Sequence, residues 1–229
     1  MPPSRAPSPT VPAPLRPSGG GYRKGEETRR RILAIALRAF GNHGFAAVTT
    51  RQIAEAAGIN LPALTYYFGN KEGLYLACAH DIASSFRLGV GDIAETAAAA
   101  LGEPITADEA RDLLKRLSAS LAQFLLSADG AQDRALFVQQ EMASPGPAFE
   151  ILYAELWRPG IELAAALIAR TTAGRLSGAD SKVRAVLMIA SLTGFSSGQR
   201  IIARTAGEGA HLEQVIAAIH EQIDALAPR

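Results

Sequence analysis

The sequence predicts an all-α fold, with a small helix-turn-helix unit in front and a larger helical region behind it. Three observations predict it. From Tyr22 onward, apolar residues recur at three- and four-residue steps in one segment after another. No segment alternates polar and apolar residues as a half-buried strand would, and no repeat of solenoid length is present. Charge divides the chain. Residues 22–75 carry eight Lys/Arg against four Asp/Glu, net +4, whereas residues 76–229 carry thirteen against eighteen, net −5. A basic front joined to an acidic rear suits a protein that meets a polyanion with its front alone.

Residues 1–21 contain seven prolines (Pro2, Pro3, Pro7, Pro9, Pro12, Pro14, Pro17) followed by a "SGGG" run, a composition that neither forms a helix nor packs a core. We expect a disordered Pro-rich tail there. It is either a plain extension or a strand that touches DNA phosphates through Arg5 and Arg16. It has no continuous apolar stretch of signal-peptide type. After Tyr22, Ile32, Ile35, Ala36, Ala39 and Phe40 mark one face of a helix whose other face carries Arg29, Arg30 and Arg38. Gly41 and Gly44 of "GNHG" are expected to reverse the chain. Next come two short helices. Thr49 should cap the first and Gly58 end it, while Asn60 should cap the second, with Pro62 in its first turn. Asn70 should cap a long helix from Lys71 to about Ala99, weakened midway by Gly89 and Gly91. Further helices are expected over 106–126, 132–142, 148–172 (kinked near Pro159), 182–204 and 212–226. Residues 22–75 should thus form one domain and 76–229 another.

The two short helices of residues 49–68 and the glycine turn between them read as a helix-turn-helix, which places its second helix in a major groove. If Leu64 and Phe68 face inward at i, i+4, Tyr66 points directly outward and Tyr67 lies on the flank. Their phenol hydroxyls can bond phosphate oxygens, and Lys71, Thr50 and Thr65 are further phosphate candidates. Arg51 has the reach and donor geometry for a guanine edge. Leu61, Pro62 and Ala63 at the tip offer only apolar contact, for example to thymine methyls. Direct hydrogen-bonded readout is therefore sparse, and shape readout should share in specificity.

The stretch "TRRRILAIALRAFGNHGFAAVTTRQIAEAAGINLPALTYYFGNKEGLY", Thr28 to Tyr75, resembles the DNA-binding domain of the TetR family of bacterial transcriptional repressors. The resemblance implies an all-α homodimer with an N-terminal three-helix DNA-binding domain and a C-terminal domain that binds a small effector and dimerises. It implies DNA contacts by Thr50, Arg51, Leu61, Pro62, Ala63, Thr65, Tyr66, Tyr67 and Lys71. Thr65 stands where the family usually has Tyr, and Tyr67 where it often has His. The rear stretch "FVQQEMASPGPAFEILYAELWRPGIELAAALI" resembles the CecR branch, which implies control of efflux or transport genes.

An effector cavity needs apolar and aromatic walls with few polar anchors. The candidates are Phe86, Phe124, Phe137, Phe149, Tyr153, Trp157 and Phe195, with Met142 and Met188. Phe149, Tyr153 and Trp157 form an i, i+4, i+8 stripe that either packs the core or walls the cavity. Gln139, Gln140, Glu141 and Arg158 are candidate anchors, and a buried Glu141 would require a partner. For dimerisation, the last two long helices offer Val186, Ile189, Ala190, Thr193, Ser197, Ile201, Val215 and Ile219 toward a four-helix interface. Half of these positions serve a single chain's core equally well.

Catalysis lacks ingredients. His43, His80, His211 and His220 share no metal-ligand spacing, and Cys78 and His80 point to different helix faces. No glycine-rich phosphate loop or nucleophile elbow is present. We therefore expect no metal, no cofactor and no enzyme activity. No apolar run reaches the roughly 18 residues that span a bilayer, and the single cysteine excludes an internal disulfide. The reading is a cytoplasmic, ligand-responsive repressor whose partners are double-stranded operator DNA, a small-molecule effector and a second copy of itself. Its rival is a helical protein-binding module that uses Tyr66 and Tyr67 as its surface.

Overall fold

The structure, a computed structural model, describes residues 19–127, 129–207 and 212–226. Most of the Pro-rich tail, with Arg5 and Arg16, and also His211 lie outside the described residues. Within them are eleven α-helices and one π turn, and no strand. In chain order these are α1 (Gly19–Ala47), α2 (Thr50–Ala56), α3 (Leu61–Phe68), α4 (Lys71–Leu101), α5 (Ala107–Ser127), α6 (Ala131–Ala143) and α7 (Phe149–Leu152). The π turn (Tyr153–Trp157) follows, then α8 (Arg158–Thr171), α9 (Gly178–Ser197), α10 (Gln199–Ala206) and α11 (Leu212–Asp224).

Local chemistry places the boundaries. Thr49 and Gln52 form a capping box on α2: the Thr49 Oγ1 accepts from Gln52 N at 3.3 Å, and Gln52 Oε1 accepts from Thr49 N at 2.9 Å. Asn60 Oδ1 accepts from Ala63 N at 2.9 Å to start α3, and Asn70 Oδ1 accepts from Gly73 N at 2.7 Å to start α4. Helix α1 begins at Gly19, inside the stretch read as disordered. The two glycines near its end do different jobs. Gly44 breaks the helix, with φ of 75° and ψ of 167°. Gly41 stays helical and buried, because a Cβ there would lie 3.0 Å from both Leu136 Cβ and Phe137 N of α6. Gly41 is thus a close-approach site rather than a turn.

Two cores organise the helices. The front core gathers Ile32, Leu33, Phe40, Ile53, Leu64 and Tyr75 with the first half of α4, and it also includes Phe137 of α6 and Leu152 of α7. The rear core joins the second half of α4 to α5, α8, α9 and α11. Helix α4, about 46 Å long at 1.5 Å per residue, belongs to both. It runs unbroken through Gly89 and Gly91. A Cβ on Gly89 would meet the Phe124 ring at 3.0 Å, so that glycine too admits a neighbour instead of loosening the helix.

The segment expected as one kinked helix over 148–172 is instead α7, a π turn and α8. Pro159 stands in the first turn of α8, where it can offer no N–H to the carbonyl four residues back, and the backbone widens just before it. The helix expected over 182–204 divides at Gly198 into α9 and α10.

Candidate DNA-binding surface and effector cavity

Leu64 and Phe68 are buried in the front core, and this orientation fixes the outer face of α3. Tyr66 is 86% exposed, its ring edge-on to Tyr67 with centroids 5.4 Å apart. Tyr67 is half-buried against the front core, with its hydroxyl beside Gly25 of α1. Leu61, Pro62 and Thr65 are exposed, Ala63 and Thr50 are half-buried, and Arg51 is exposed. Because Gly25 lies against Tyr67, the exposed Arg23 and Lys24 stand close to the flank of α3. Sequence reasoning counted these two cations without placing them; only the return of α1 past α3 shows where they are.

Two of the phosphate candidates are already engaged. Thr65 Oγ1 donates to the Leu61 carbonyl at 3.1 Å, one turn back in its own helix. A phosphate oxygen only accepts, so a hydroxyl whose proton is committed elsewhere has nothing to give it. Lys71 is half-buried. Its Nζ donates to the Ala46 carbonyl at 3.2 Å and lies 4.6 Å from the centroid of the Phe45 ring. It ties the start of α4 to the end of α1, and two of its three N–H bonds remain for another acceptor.

Behind the front core lies a cavity of about 950 Å³. Its walls come from α4 (Ile82, Phe86, Val90), α5 (Leu117, Leu121, Phe124), α6 (Leu136, Gln139, Gln140), the end of the π turn (Trp157), α8 (Leu163) and α9 (Met188). Of the nine candidate wall residues, Phe86, Phe124, Met142, Trp157 and Met188 line it. The other four do not. Phe137 is fully buried in the front core, its ring 4.6 Å from that of Tyr75. Phe149 and Tyr153 stack on each other with ring planes 5° apart, and Tyr153 faces solvent. Phe195 packs against the rear core. The aromatic stripe is real, since Phe149 also touches Trp157 at 5.4 Å, but only its last ring reaches the cavity.

Among the candidate anchors, Arg158 is exposed outside the cavity and Glu141 is buried outside it. Glu141 Oε1 accepts from the Tyr75 hydroxyl at 2.6 Å and Oε2 accepts from Gly146 N at 3.0 Å. Burial, reinforced by this carboxylate, pushes the Tyr75 phenol above its ordinary range, so Tyr75 remains a neutral donor. Helix α6 therefore has two faces. Phe137 and Glu141 close the front core, while Leu136, Gln139 and Gln140 wall the cavity.

The proposed dimer residues also separate. Val186 and Ala190 are exposed on α9, and Ile201 is 73% exposed on α10. Ile189, Ala190, Thr193 and Ser197 line the cavity of the single chain. Val215 and Ile219 are buried in the rear core of their own chain, where α11 packs on α5 with Lys115 and Asp224 paired at 2.6 Å. These two are not available to a partner. The exposed face of α9 is drawn by Val183, Val186, Leu187 and Ala190, at i, i+3, i+4 and i+7.

Among the described residues no helix is long and apolar enough to cross a membrane, and no group of three metal-ligating side chains is present. Residues 32–78 match the family described as "Bacterial regulatory proteins, tetR family", and residues 110–228, just over half of the chain, match "HTH-type transcriptional dual regulator CecR, C-terminal domain". The chain is 37% identical over 137 residues to the HTH-type transcriptional dual regulator CecR of Shigella flexneri, a match that spans 59% of this chain and 60% of that one. It is 46% identical over 57 residues to the HTH-type transcriptional regulatory protein RaaS of Mycobacterium tuberculosis, spanning 25% and 26%. These matches thus cover less than two thirds of either relative. The fold is shared with a TetR-like transcriptional regulator from Rhodococcus (TM-score 0.60, 19% identity, 86% of this chain and 93% of that one). It is shared equally with AibR, solved in complex with isovaleryl coenzyme A and operator DNA (TM-score 0.63, 14% identity, 85% and 97%).

Proposed function

Because the chain belongs to the TetR family of bacterial regulatory proteins, in its CecR branch, and is a DNA-binding transcriptional regulator rather than an enzyme, we propose that it is a ligand-responsive repressor. It leaves its operator when a small hydrophobic or aromatic effector fills the cavity behind the front core. The observation that carries this reading is the double face of α6. A molecule that presses on Leu136, Gln139 or Gln140 presses on the helix that also holds Phe137 and Glu141 in the front core. An effector shifts DNA affinity only through its differential affinity for the DNA-fitting and DNA-misfitting arrangements, and a helix shared by both sites supplies that difference. AibR, which shares this fold, is described in complex with isovaleryl coenzyme A and operator DNA, so one protein of this fold takes both a small acyl ligand and DNA.

The protein acts in the cytoplasm as a homodimer joined through the exposed face of α9, with two reading helices on successive major-groove turns. Its targets are efflux or transport genes. On the DNA, Tyr66 and Tyr67 grip phosphate, Arg51 reads a guanine edge, and Leu61, Pro62 and Ala63 meet thymine methyls. Thr50 and Lys71 add backbone contacts, and Thr65 joins them only if its hydroxyl turns away from Leu61.

Titration against a duplex from the region upstream of its own gene, with a shuffled duplex as control, tests the DNA half. We expect selective binding that weakens about 10⁴-fold between about 50 and 200 mM salt, as counterion release requires for roughly eight neutralised phosphates. The effector half is tested by adding apolar compounds and following release. Failure to bind that duplex, or any duplex recovered by random-sequence selection, would overturn the reading.

A further inference from the structure

The cavity is apolar on nearly every wall, yet its polar groups are not distributed at random. Four hydroxyls line it, and each donates to a backbone carbonyl. Ser118 Oγ donates to Lys115 O at 2.8 Å, Thr193 Oγ1 to Ala190 O at 3.1 Å, Ser196 Oγ to Leu125 O at 2.9 Å and Ser197 Oγ to Thr193 O at 2.7 Å. The donors left over are the Trp157 indole at the end of the π turn and three side chains of α6, Gln139, Gln140 and Arg134.

Arg134 stands out among them. Its Cζ lies 5.0 Å from the centroid of the Phe124 ring, and Nη1 donates to the Asp129 carbonyl at 2.7 Å. Its Nε is buried and has no partner. No carboxylate forms an ion pair with it among the described residues. Asp133 pairs with Arg38 at 3.2 Å, and the Asp81 carboxyl is pushed upward by burial, against the pull of Arg134, Arg29 and Arg30. The Nη2, unlike the sealed Nε, is not buried and makes no hydrogen bond among the described residues, so it is the group left for an acceptor on this apolar wall. The cavity's other charged residue, Glu95, is exposed and lies nine residues beyond Phe86 along α4, about 14 Å away. Since the Phe86 and Phe124 rings touch at 5.7 Å, Arg134 sits at the Phe86 level, and the stretch between the two charges is lined by apolar groups such as Val90 and Leu121.

We propose that Arg134 is the head-group anchor of this cavity and that its ligand is an amphiphile carrying one carboxylate on an apolar body. The inference rests on the cavity being the effector site and adds the ligand's chemical class. The carboxylate accepts from the guanidinium, helped by Gln140, and the apolar body extends along α4 toward Glu95. Asp81, Asp129 and Asp133 act on Arg134 from a distance without pairing with it, so a cationic head would be repelled at that end and an uncharged one would forgo the charge-assisted hydrogen bond. Anchoring also acts on the DNA side, since Arg134 lies one turn before Phe137 and next to Asp133, which holds Arg38 of α1.

Trp157, the chain's single tryptophan, lines the cavity and reports its occupancy by fluorescence. The full chain is titrated with decanoate, decan-1-ol and decylamine below their aggregation limits, and operator binding is followed in parallel. We expect decanoate to bind about ten-fold or more tightly than decan-1-ol, the gain of a charge-assisted hydrogen bond, and decylamine to bind most weakly. In Arg134→Met the preference for decanoate should vanish, while Arg134→Lys should keep part of it. Equal binding of acid and alcohol by the unmodified chain, no saturable binding of decanoate, or a preference that survives in Arg134→Met would each overturn the proposal. Release of operator DNA by the alcohol as readily as by the acid would sink the head-group assignment and leave the repressor reading intact. Arg134-dependent decanoate binding that leaves operator affinity unchanged would do the reverse.

Discussion

The two cores of this molecule are built to opposite ends. The front core is filled: Phe40, Phe45, Tyr75 and Phe137 meet ring on ring, with centroids of Tyr75 at 4.6 to 4.8 Å from the other three, and the buried Glu141 finds both of its partners there. The rear core surrounds about 950 Å³ of cavity, and one wall residue, Arg134, keeps a buried N–H without a partner. A DNA reader must hold α3 at one angle, so its support has no slack. An effector site must admit a guest, so its walls lack the contacts that a guest would supply. Helix α6 borders both.

Substitutions should separate the two regions by size of effect. Phe137→Ala removes a fully buried ring from the front core, although residue 137 lies far along the chain from the DNA-binding motif. We expect a loss of about 3–5 kcal/mol, read from urea unfolding. Cys78 sharpens the comparison. It is fully buried in the front core, and its thiol is pushed upward first by burial and then by Asp81. Alkylation of Cys78 should accelerate in Phe137→Ala; an unchanged rate would place Phe137 outside the cooperative front unit. Tyr75→Phe leaves the Glu141 carboxylate short of one donor and should cost about 1.5–3 kcal/mol, with labelling of Cys78 again faster.

Met188→Ala, in contrast, trims a half-buried wall of an existing cavity. Its loss should stay below about 1.5 kcal/mol, and Cys78 should be as protected as in the unmodified chain. A loss as large as that of Phe137→Ala would mean that the rear core is as tightly filled as the front. Tyr66→Phe should leave the unfolding midpoint unchanged and weaken DNA binding about five-fold on specific and shuffled duplexes alike, the mark of a phosphate contact. Weakening confined to the specific duplex would make Tyr66 a base reader.

The front unit was legible because its signals are local. Thr49, Asn60 and Asn70 cap the helices that follow them, and Leu64 and Phe68 turn inward and send Tyr66 out. Most misplaced site residues concern partners distant in sequence, whereas the π turn before Pro159 and the Thr65–Leu61 bond are local. A buried periodicity says that residue 137 faces something apolar, but not that Tyr75 is the neighbour. The Tyr75–Glu141 bond joins residues 66 positions apart. Val215 and Ile219 looked like interface because α11 has a full apolar stripe, and α5 of the same chain covers it. Gly41 looked like a turn because only the approach of α6 reveals what a side chain there would strike. The spacing of Phe149, Tyr153 and Trp157 left open whether the stripe packs the core or walls the cavity; only Trp157, at the end of the π turn in front of Pro159, reaches the cavity, and Tyr153 faces solvent.

Coupling between cavity and DNA surface through α6 can be tested without knowing the effector. Leu163 lines the cavity from α8, opposite the front core. A Leu163→Trp substitution puts an indole into the space a guest would take. Operator affinity of this variant should be measured beside its Cys78 labelling rate. We expect affinity to fall about five-fold or more, the usual scale of an allosteric coupling, with Cys78 still protected. Full operator affinity in a folded Leu163→Trp protein would contradict the coupling and leave the cavity without a role in DNA release.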